Sequence, residues 1–384
     1  MQIETSAIHR GVLIDNSYNS VTTPIYPSSN FFFNKIGETN GFDYTRSGNP
    51  TRKALELNLA SLENGIGASA TSSGMSAVTA VLSLFKAGDH VITTNDIYGG
   101  THRLMAHILP RYGVEVSFLS TLNNPDLLKR TLKQNTRLVW IETPSNPLLN
   151  ITDIQFVSEF VKSEKPDTLL VADNTFLSPY FQKPLDLGCD IVMHSTTKYL
   201  NGHSDVIGGV VISKTEELAK EIAYNVNCMG LACSPFDAWL VLRGVKTLPQ
   251  RMIAHQANAF KLAEYLVQHP LVKKLYFTGD PSHPQAEIIA RQMTGHGGML
   301  ALKLDLSKAD INLFFKNLKY FILAESLGGI ESLIEQPWSM SHASMDEAAR
   351  LEAGLDPSVV RISAGIENSS DLIADLDQAF ASCC

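Results

Sequence analysis

The sequence predicts an α/β protein built around a mostly parallel sheet with helices on both faces. Between about residues 65 and 215, seven short apolar runs alternate with segments of helical periodicity. Several runs are apolar without alternation, which is typical of strands that are covered on both faces. Regular alternation of strands and helices favours parallel pairing, because each helix returns the chain to the same end of the sheet.

The composition indicates a folded protein and argues against several functional classes. A chain of 384 residues, 44% hydrophobic and 18% charged, predicts two domains with well-filled cores. A net charge of −8 without a long Lys/Arg cluster argues against nucleic-acid binding. No apolar stretch has the length of a membrane span or of a signal-peptide core, so we expect no membrane contact and a cytoplasmic protein. Five cysteines without close Cys-x-x-Cys pairs predict neither a disulfide framework nor a metal site.

The elements follow from these runs in chain order. The predicted strands are Ala68–Ser72, His90–Thr94, Glu115–Leu119, Leu138–Glu142, Leu169–Asp173, Ile191–His194 and Gly209–Ser213. Between the first strands, Met75, Val78, Leu82 and Phe85 share one helical face, and Thr101–Arg111 can form another helix.

After Gly209 the pattern changes. Phe236–His269 is rich in leucine and alanine and is interrupted at Pro249, which predicts two helices that lead into a smaller domain. We therefore expect a large domain over residues 56–245 and a small C-terminal α/β domain over 246–384. Residues 1–55, rich in Asn, Ser, Thr and Pro, are interpreted as an arm that contacts a neighbouring subunit.

Two strand ends carry residues with a matching chemistry. The strand that ends at His194 leads through three hydroxyl residues to Lys198, and the strand that begins at Leu169 ends at Asp173. Pyridoxal phosphate chemistry needs such a pair, because the lysine bonds to the cofactor's aldehyde while the aspartate pairs with the protonated ring nitrogen. A surface lysine and a helix-capping aspartate remain the alternative.

A second feature predicts a seat for the phosphate. Gly74 and Met75 open a helix after a strand, where free backbone N–H groups favour an anion. The hydroxyls of Ser195 and Thr197, which precede the lysine, can add to this seat. Ordinary turn chemistry is the alternative reading of a Ser-Gly at a helix start.

Motifs along nearly the whole chain resemble one family. The motifs are Tyr44–Arg52, Thr143–Pro147, Asp190–Gly209, Leu323–Ser332 and Val360–Glu367. In this order they resemble the cystathionine-processing, pyridoxal-phosphate-dependent enzymes of cysteine and methionine metabolism. The resemblance implies the fold of PLP-dependent transferases of fold type I, with a seven-stranded sheet in the large domain, and pyridoxal 5'-phosphate as cofactor.

The same resemblance implies roles around the cofactor. Tyr98 matches a tyrosine that stacks on the ring and, beside Lys198, assists the departing thiol, and Asn146 matches an amide near the ring hydroxyl and the substrate carboxylate. Tyr44 and Arg46 match a pair that reaches the phosphate from the neighbouring subunit, which implies at least a dimer, and we expect a tetramer. Without the resemblance, these would be a core tyrosine, a turn residue and a solvated loop.

Three further residues are predicted to bind an amino-acid substrate. Arg361 lies in a strand-like segment, where a cation is costly unless it is paired. The substrate's α-carboxylate can supply that pair, with a contact from Ser326, although a structural salt bridge is the alternative. Glu325 is expected to face the distal ammonium of cystathionine or cysteine.

Within the family, the residues favour cystathionine γ-lyase, which converts cystathionine to cysteine, 2-oxobutyrate and ammonia. Cystathionine β-lyases tend to carry an aromatic residue where this chain has Glu325, and some γ-synthases carry a second arginine where it has Ser47. The segment from Leu323 to Asp377 looks equally like a bacterial γ-synthase, which replaces the acyl group of an O-acyl-homoserine by cysteine. A β-lyase and a non-catalytic homologue are further alternatives, although a dead homologue would have lost Lys198. A nicotinamide-dependent dehydrogenase is disfavoured, because Gly65-Ile-Gly67 lacks the third glycine of the dinucleotide motif.

Overall fold

The structure, a computed structural model, describes residues 1–12 and 18–383 and contains two β-sheets. The seven-stranded sheet consists of β1 (Gly67–Thr71), β2 (His90–Thr94), β3 (Glu115–Leu119), β4 (Thr136–Glu142), β5 (Leu169–Asp173), β6 (Ile191–His194) and β7 (Gly209–Ser213). The five-stranded sheet consists of β8 (Val272–Tyr276), β9 (Met299–Leu304), β10 (Ile322–Leu323), β11 (Leu333–Glu335) and β12 (Val359–Ser363).

The large sheet is mostly parallel, as the alternation of elements predicts. Its strands lie in the order β1-β7-β6-β5-β4-β2-β3. All pairs from β6 to β3 are parallel, whereas β7 runs antiparallel to both β1 and β6. Five predicted strands have the observed bounds, β1 is displaced by one residue, and β4 begins two residues earlier than predicted.

Many of the helices in the described residues begin at a capping side chain. The helices are α1 (Ile3–His9), α2 (Pro50–Leu62), α3 (Gly74–Leu82), α4 (Gly99–Arg103), α5 (Pro125–Thr131), α6 (Ile154–Glu164), α7 (Ser178–Phe181), α8 (Glu216–Met229), α9 (Pro235–Val245), α10 (Leu248–Leu266), α11 (Ala286–Gln292), α12 (Ile311–Asn317), α13 (Glu347–Glu352) and α14 (Ser369–Ala381). The Ser73 hydroxyl, for example, accepts a hydrogen bond from the Ser76 N–H and caps α3.

Two helix predictions can be compared with these bounds. The expected pair in Phe236–His269 is confirmed as α9 and α10, and Pro249 lies in the first turn of α10, where its missing N–H costs no hydrogen bond. The single helix expected over Thr101–Arg111 is wrong: α4 gives way to a π-helical turn and then to a tight turn that contains Pro110. Since Pro110 has no N–H to donate, a regular α-helix cannot continue through it.

The second sheet has its own hydrophobic core, packed against α10, α12 and α14. Its order is β10-β11-β12-β9-β8, with only β10 and β11 parallel among its neighbouring strands. The α/β fold with a second, smaller α/β unit is confirmed, whereas the exact boundaries after residues 55 and 245 stay predictions. None of the helices in residues 1–12 and 18–383 is long and apolar enough to cross a membrane.

Candidate active site

A cavity of about 450 Å³ opens where the carboxyl ends of β4, β5 and β6 face the second sheet. In parallel sheets, ligands bind beyond the carboxyl ends of the strands. Eleven of the predicted site residues line this cavity: Gly74, Met75, Tyr98, Asn146, Asp173, Ser195, Thr197, Lys198, Glu325, Ser326 and Arg361. Residues up to 287 positions apart in the chain (74 to 361) therefore share one surface.

Lys198 lies four residues after the end of β6, half-buried, and its Nζ donates a hydrogen bond to the Ser326 hydroxyl at 2.7 Å. Burial and, after it, the charge of Arg361 lower the pKa of the Lys198 amine from 10.5 to about 8, although the carboxylates of Glu335 and Glu325 oppose this shift. At neutral pH an amine with this pKa is uncharged in about a tenth of the molecules, a far larger fraction than for an ordinary lysine. Lys198 can therefore act as a nucleophile and as a base.

Asp173 ends β5 directly opposite Glu142, which ends β4. One oxygen of Asp173 accepts hydrogen bonds from the N–H and the hydroxyl of Thr175, at 3.0 and 2.5 Å. Burial raises the pKa of Asp173, and these bonds oppose the rise. Burial and then the charge of Asp173 raise the pKa of Glu142 well above its usual range. Of the two carboxyls, Glu142 therefore has the more strongly raised pKa, while the hydrogen bonds from Thr175 favour the ionised form of Asp173.

The helix start at Gly74 approaches the turn before Lys198 closely. A Cβ at Gly74 would lie 3.0 Å from the Cβ of Ser195, so only glycine leaves these two segments undisturbed. The Thr197 side chain is held from the other side, since its Oγ1 accepts a hydrogen bond from the Gly208 N–H at 2.9 Å. The N–H groups of α3 and the two hydroxyl residues thus border one recess of the cavity.

Arg361 enters the cavity from β12 and is 3% exposed. Its Nη1 lies 3.1 Å from the Asn146 Oδ1 and 3.1 Å from the Glu335 Oε1, and its Nη2 donates to the Ser326 carbonyl at 2.6 Å. The salt bridge that the sequence left open as an alternative is therefore present. Glu335 was not predicted as a site residue.

Glu142 is a second residue that sequence reasoning missed. It accepts a hydrogen bond from the Tyr98 N–H at 2.8 Å and so fixes the turn that presents the Tyr98 ring to the cavity. Its position as the last residue of an apolar predicted strand, next to the motif that contains Asn146, could have marked it. Burial also raises the pKa of the Tyr98 hydroxyl, so this group keeps its proton at neutral pH.

Tyr44 and Arg46 are not among the residues that line the cavity within the described part of this chain. Tyr44 is 47% exposed, and the Arg46 guanidinium donates to the carbonyl and the side chain of Asn227, both at 2.8 Å. Their predicted role in a neighbouring subunit's site stays a prediction.

Comparison with known proteins identifies the family. Residues 4–381 match the family model described as Cys/Met metabolism PLP-dependent enzyme. The chain belongs to this family. It is similar to a cystathionine γ-lyase of Bacillus subtilis (45% identity, 99% of both chains), a cystathionine β-lyase of Lactococcus lactis subsp. cremoris (47%, 98% of both) and a cystathionine γ-synthase of Mycobacterium leprae (46%, 98% of this chain and 96% of the relative).

Solved structures agree with this assignment. The cystathionine γ-lyase of Lactobacillus plantarum, complexed with L-serine, has a TM-score of 0.96 and 44% identity, and the match covers 100% of this chain and 99% of that one. The cystathionine γ-synthase of Xanthomonas oryzae pv. oryzae, in complex with aminoacrylate and cysteine, has a TM-score of 0.96 and 45% identity over 100% and 98% of the two chains. The protein is thus a pyridoxal-phosphate-dependent enzyme of cystathionine metabolism.

The residues in the cavity fit pyridoxal 5'-phosphate. The cavity offers a lysine whose amine is easily deprotonated for the aldehyde, an aspartate whose ionised form Thr175 stabilises for the ring nitrogen, and a recess that a Cβ at Gly74 would fill for the phosphate. When bound, the cofactor supplies an electron sink for the bonds around the substrate's Cα.

Proposed function

We propose that the protein is a cystathionine γ-lyase that cleaves the Cγ–sulfur bond of cystathionine and yields cysteine, 2-oxobutyrate and ammonia. The main support is the charge around the mouth of the site. Exposed Glu325 lines the cavity and also an adjoining one of about 580 Å³. The residues of this chain that line the adjoining cavity include Asp205, Glu325 and Glu331 but no Lys, Arg or His from the described ranges.

These charges favour one kind of distal group on the substrate. A distal ammonium, as in cystathionine, gains a carboxylate partner at Glu325. A lone distal carboxylate, as in a succinyl ester of homoserine, would instead meet carboxylates of like charge. Arg361 and Asn146, at the inner end of the cavity, are proposed to hold the α-carboxylate.

Two side chains are proposed to move the protons of this reaction. Lys198, once its Nζ is released by the substrate's amine, takes the proton from Cα and can then carry one from Cβ. Tyr98, which keeps its hydroxyl proton at neutral pH, can donate to the departing sulfur. The hydrogen bond from the Lys198 Nζ to the Ser326 hydroxyl keeps the amine beside the residues that are proposed to bind the substrate.

A product assay decides the reaction. Purified enzyme is incubated with cystathionine, and the keto acid is identified by mass spectrometry, with Lys198→Ala as the inactive control. We expect 2-oxobutyrate. Pyruvate would identify a β-lyase. Cystathionine formation from O-succinyl-homoserine and cysteine, without keto acid from cystathionine, would identify a γ-synthase, which the segment Leu323–Asp377 resembles equally well.

The assembly and location complete the proposal. We propose a homo-oligomer that contains at least two subunits and is expected to be a tetramer. In it, Tyr44 and Arg46 of one subunit reach the cofactor's phosphate in the active site of a neighbouring subunit. Their exposure and their place outside their own chain's cavity support this arrangement. We also propose that the enzyme works in the cytoplasm.

A further inference from the structure

Arg361 already has an anionic partner inside the protein. Glu335 ends β11 directly opposite Arg361 on β12, and its Oε1 lies 3.1 Å from the Arg361 Nη1. Glu335 is 0% and Arg361 3% exposed, so water screens this pair very little. Two charges buried this closely neutralise each other, and each would be costly without its partner.

The carboxylate of Glu335 is itself held in place from the cavity side. The Ser341 hydroxyl, which lines the cavity, donates to the Glu335 Oε1 at 2.6 Å. The same hydroxyl is 2.9 Å from the Nδ1 of buried His342. The Ser341 carbonyl would also lie 3.1 Å from a Cβ at Gly99, which shows that this segment packs on the turn next to Tyr98. Glu335 is therefore fixed from two elements, β11 and the segment at Ser341.

We propose that Glu335 is a positioning residue that orients the Arg361 guanidinium and offsets its charge, so that the site binds α-amino acids well but simple carboxylates weakly. The inference rests on the proposed role of Arg361 in binding the α-carboxylate. An amino acid has a second attachment, because its amine replaces that of Lys198 at the cofactor. A carboxylate without an amino group has only Arg361 and its neighbours, where the opposing charge of Glu335 weakens the attraction.

This arrangement suits an enzyme that must release a keto acid. The 2-oxobutyrate of the proposed reaction keeps the α-carboxylate of the substrate but has lost its amine. Because Glu335 offsets the charge of Arg361, a product that has a carboxylate but no amino group is bound only weakly. Glu335 thus favours product release over product inhibition.

The test removes the charge of the Glu335 side chain but keeps its size and shape. Glu335→Gln keeps an oxygen that can accept from Arg361 and Ser341 but removes the negative charge. Cofactor-loaded enzyme is titrated calorimetrically with propionate, which has no amine, and with uncharged propionamide as the matched ligand. We expect propionate to bind at least about tenfold more tightly to Glu335→Gln than to wild type. Propionamide binding should not change, and exposed Glu347→Gln should behave as wild type.

Further variants link the effect to Arg361 and cover a failure to fold. In Glu335→Gln/Arg361→Gln, which is again balanced in charge, the gain in propionate affinity should vanish. If thermal unfolding shows that Glu335→Gln is not folded, Glu335→Asp replaces it. Because this variant keeps the charge but its shorter side chain loosens the contact to Arg361, propionate affinity should stay within about twofold while KM for cystathionine rises several-fold.

The outcomes separate this inference from the proposed reaction. Unchanged or weaker propionate binding in folded Glu335→Gln, or unchanged KM in Glu335→Asp, would overturn the inference and leave Glu335 as a structural partner of Arg361. The keto-acid assay on wild type decides the reaction independently. Lyases and synthases both bind an α-carboxylate, so a failure of the γ-lyase proposal would leave the propionate result intact.

Discussion

The two sides of the active-site cavity are built in different ways. On the cofactor side, contacts are short in sequence: Asp173 is held by Thr175, and Thr197 by Gly208. The hydrogen bonds that reach the residues proposed to bind the substrate are long in sequence: the Lys198 Nζ donates to the Ser326 hydroxyl, 128 residues away, and the Arg361 Nη1 to the Asn146 Oδ1, 215 residues away. The residues proposed to hold the cofactor, from Gly74 to Lys198, thus lie around the large sheet, whereas the proposed substrate contacts at Ser326 and Arg361 come from the part of the chain that forms the second sheet.

The relatives are consistent with this division. Proteins named as γ-lyase, β-lyase and γ-synthase have 45%, 47% and 46% identity to this chain, so overall similarity does not separate the three reactions. We infer that a few positions on the substrate side, Glu325 among them, decide which bond is broken. Changes to the two sides should accordingly have different consequences.

The largest effect is expected from the cofactor side. Lys198→Ala removes the group that bonds to the cofactor and moves protons, so kcat should fall by at least about 10³-fold. Borohydride reduction of the wild type should attach the cofactor covalently to the peptide that contains Lys198, as seen by mass spectrometry. Exposed Lys214→Ala is the control and should keep full activity. Label on another lysine would contradict the assignment of Lys198.

The next prediction tests whether a neighbouring subunit contributes residues to the active site. Arg46→Ala should lose most activity through weaker retention of the cofactor's phosphate. Equal mixtures of Arg46→Ala and Lys198→Ala subunits should recover roughly a quarter of wild-type activity, since one of the two sites in each mixed dimer carries neither lesion. Each variant exchanged with itself is the control. No recovery after verified subunit exchange would mean that each chain builds its own site.

A smaller effect is expected at the mouth of the substrate side. Glu325→Ala should lower kcat/KM for cystathionine roughly 10- to 100-fold, because the distal ammonium loses a partly shielded carboxylate partner. Homoserine esters, which lack that ammonium, should be affected much less in the step before thiol attack. Exposed Glu347→Ala, which lies outside both cavities, is the control and should keep the wild-type kcat/KM. Equal loss with both substrate types would show that Glu325 is structural.

The smallest effect is a shift in pH dependence. Only the uncharged Lys198 amine can capture the cofactor, and burial lowers its pKa from 10.5 to about 8. The rate at which cofactor-free protein takes up pyridoxal phosphate should therefore rise with pH with a midpoint near 8, as followed by absorbance. Nα-acetyl-lysine is the reference and should titrate near its ordinary value, roughly 10.4. A midpoint above 10 for the protein would show that Lys198 is not desolvated.

The division between the two sides also explains what the sequence could predict. The strand that ends at Asp173 and the strand that precedes Lys198 were predictable, because each is a continuous apolar run that ends sharply at polar residues. The sequence marked Arg361 as a site residue, because a cation in a strand-like segment is costly unless it is paired. Its partner Glu335 could not be predicted, since that pairing depends on β11 lying beside β12. The raised pKa of Glu142 likewise depends on its strand end lying beside that of Asp173, and no local pattern reveals it.

The order of the strands has a consequence for how the protein is made. β7 inserts between β1 and β6 and completes the seven-stranded sheet at Ser213 of a 384-residue chain. During synthesis, all seven of its strands leave the ribosome before β9 and β12 are translated, and domains generally fold as units from the N-terminal side. The nascent chain can thus pair β5, which ends at Asp173, with β6, which precedes Lys198, well before Arg361 has been translated. The proposed site for the substrate's α-carboxylate can therefore form only after β12 has been translated.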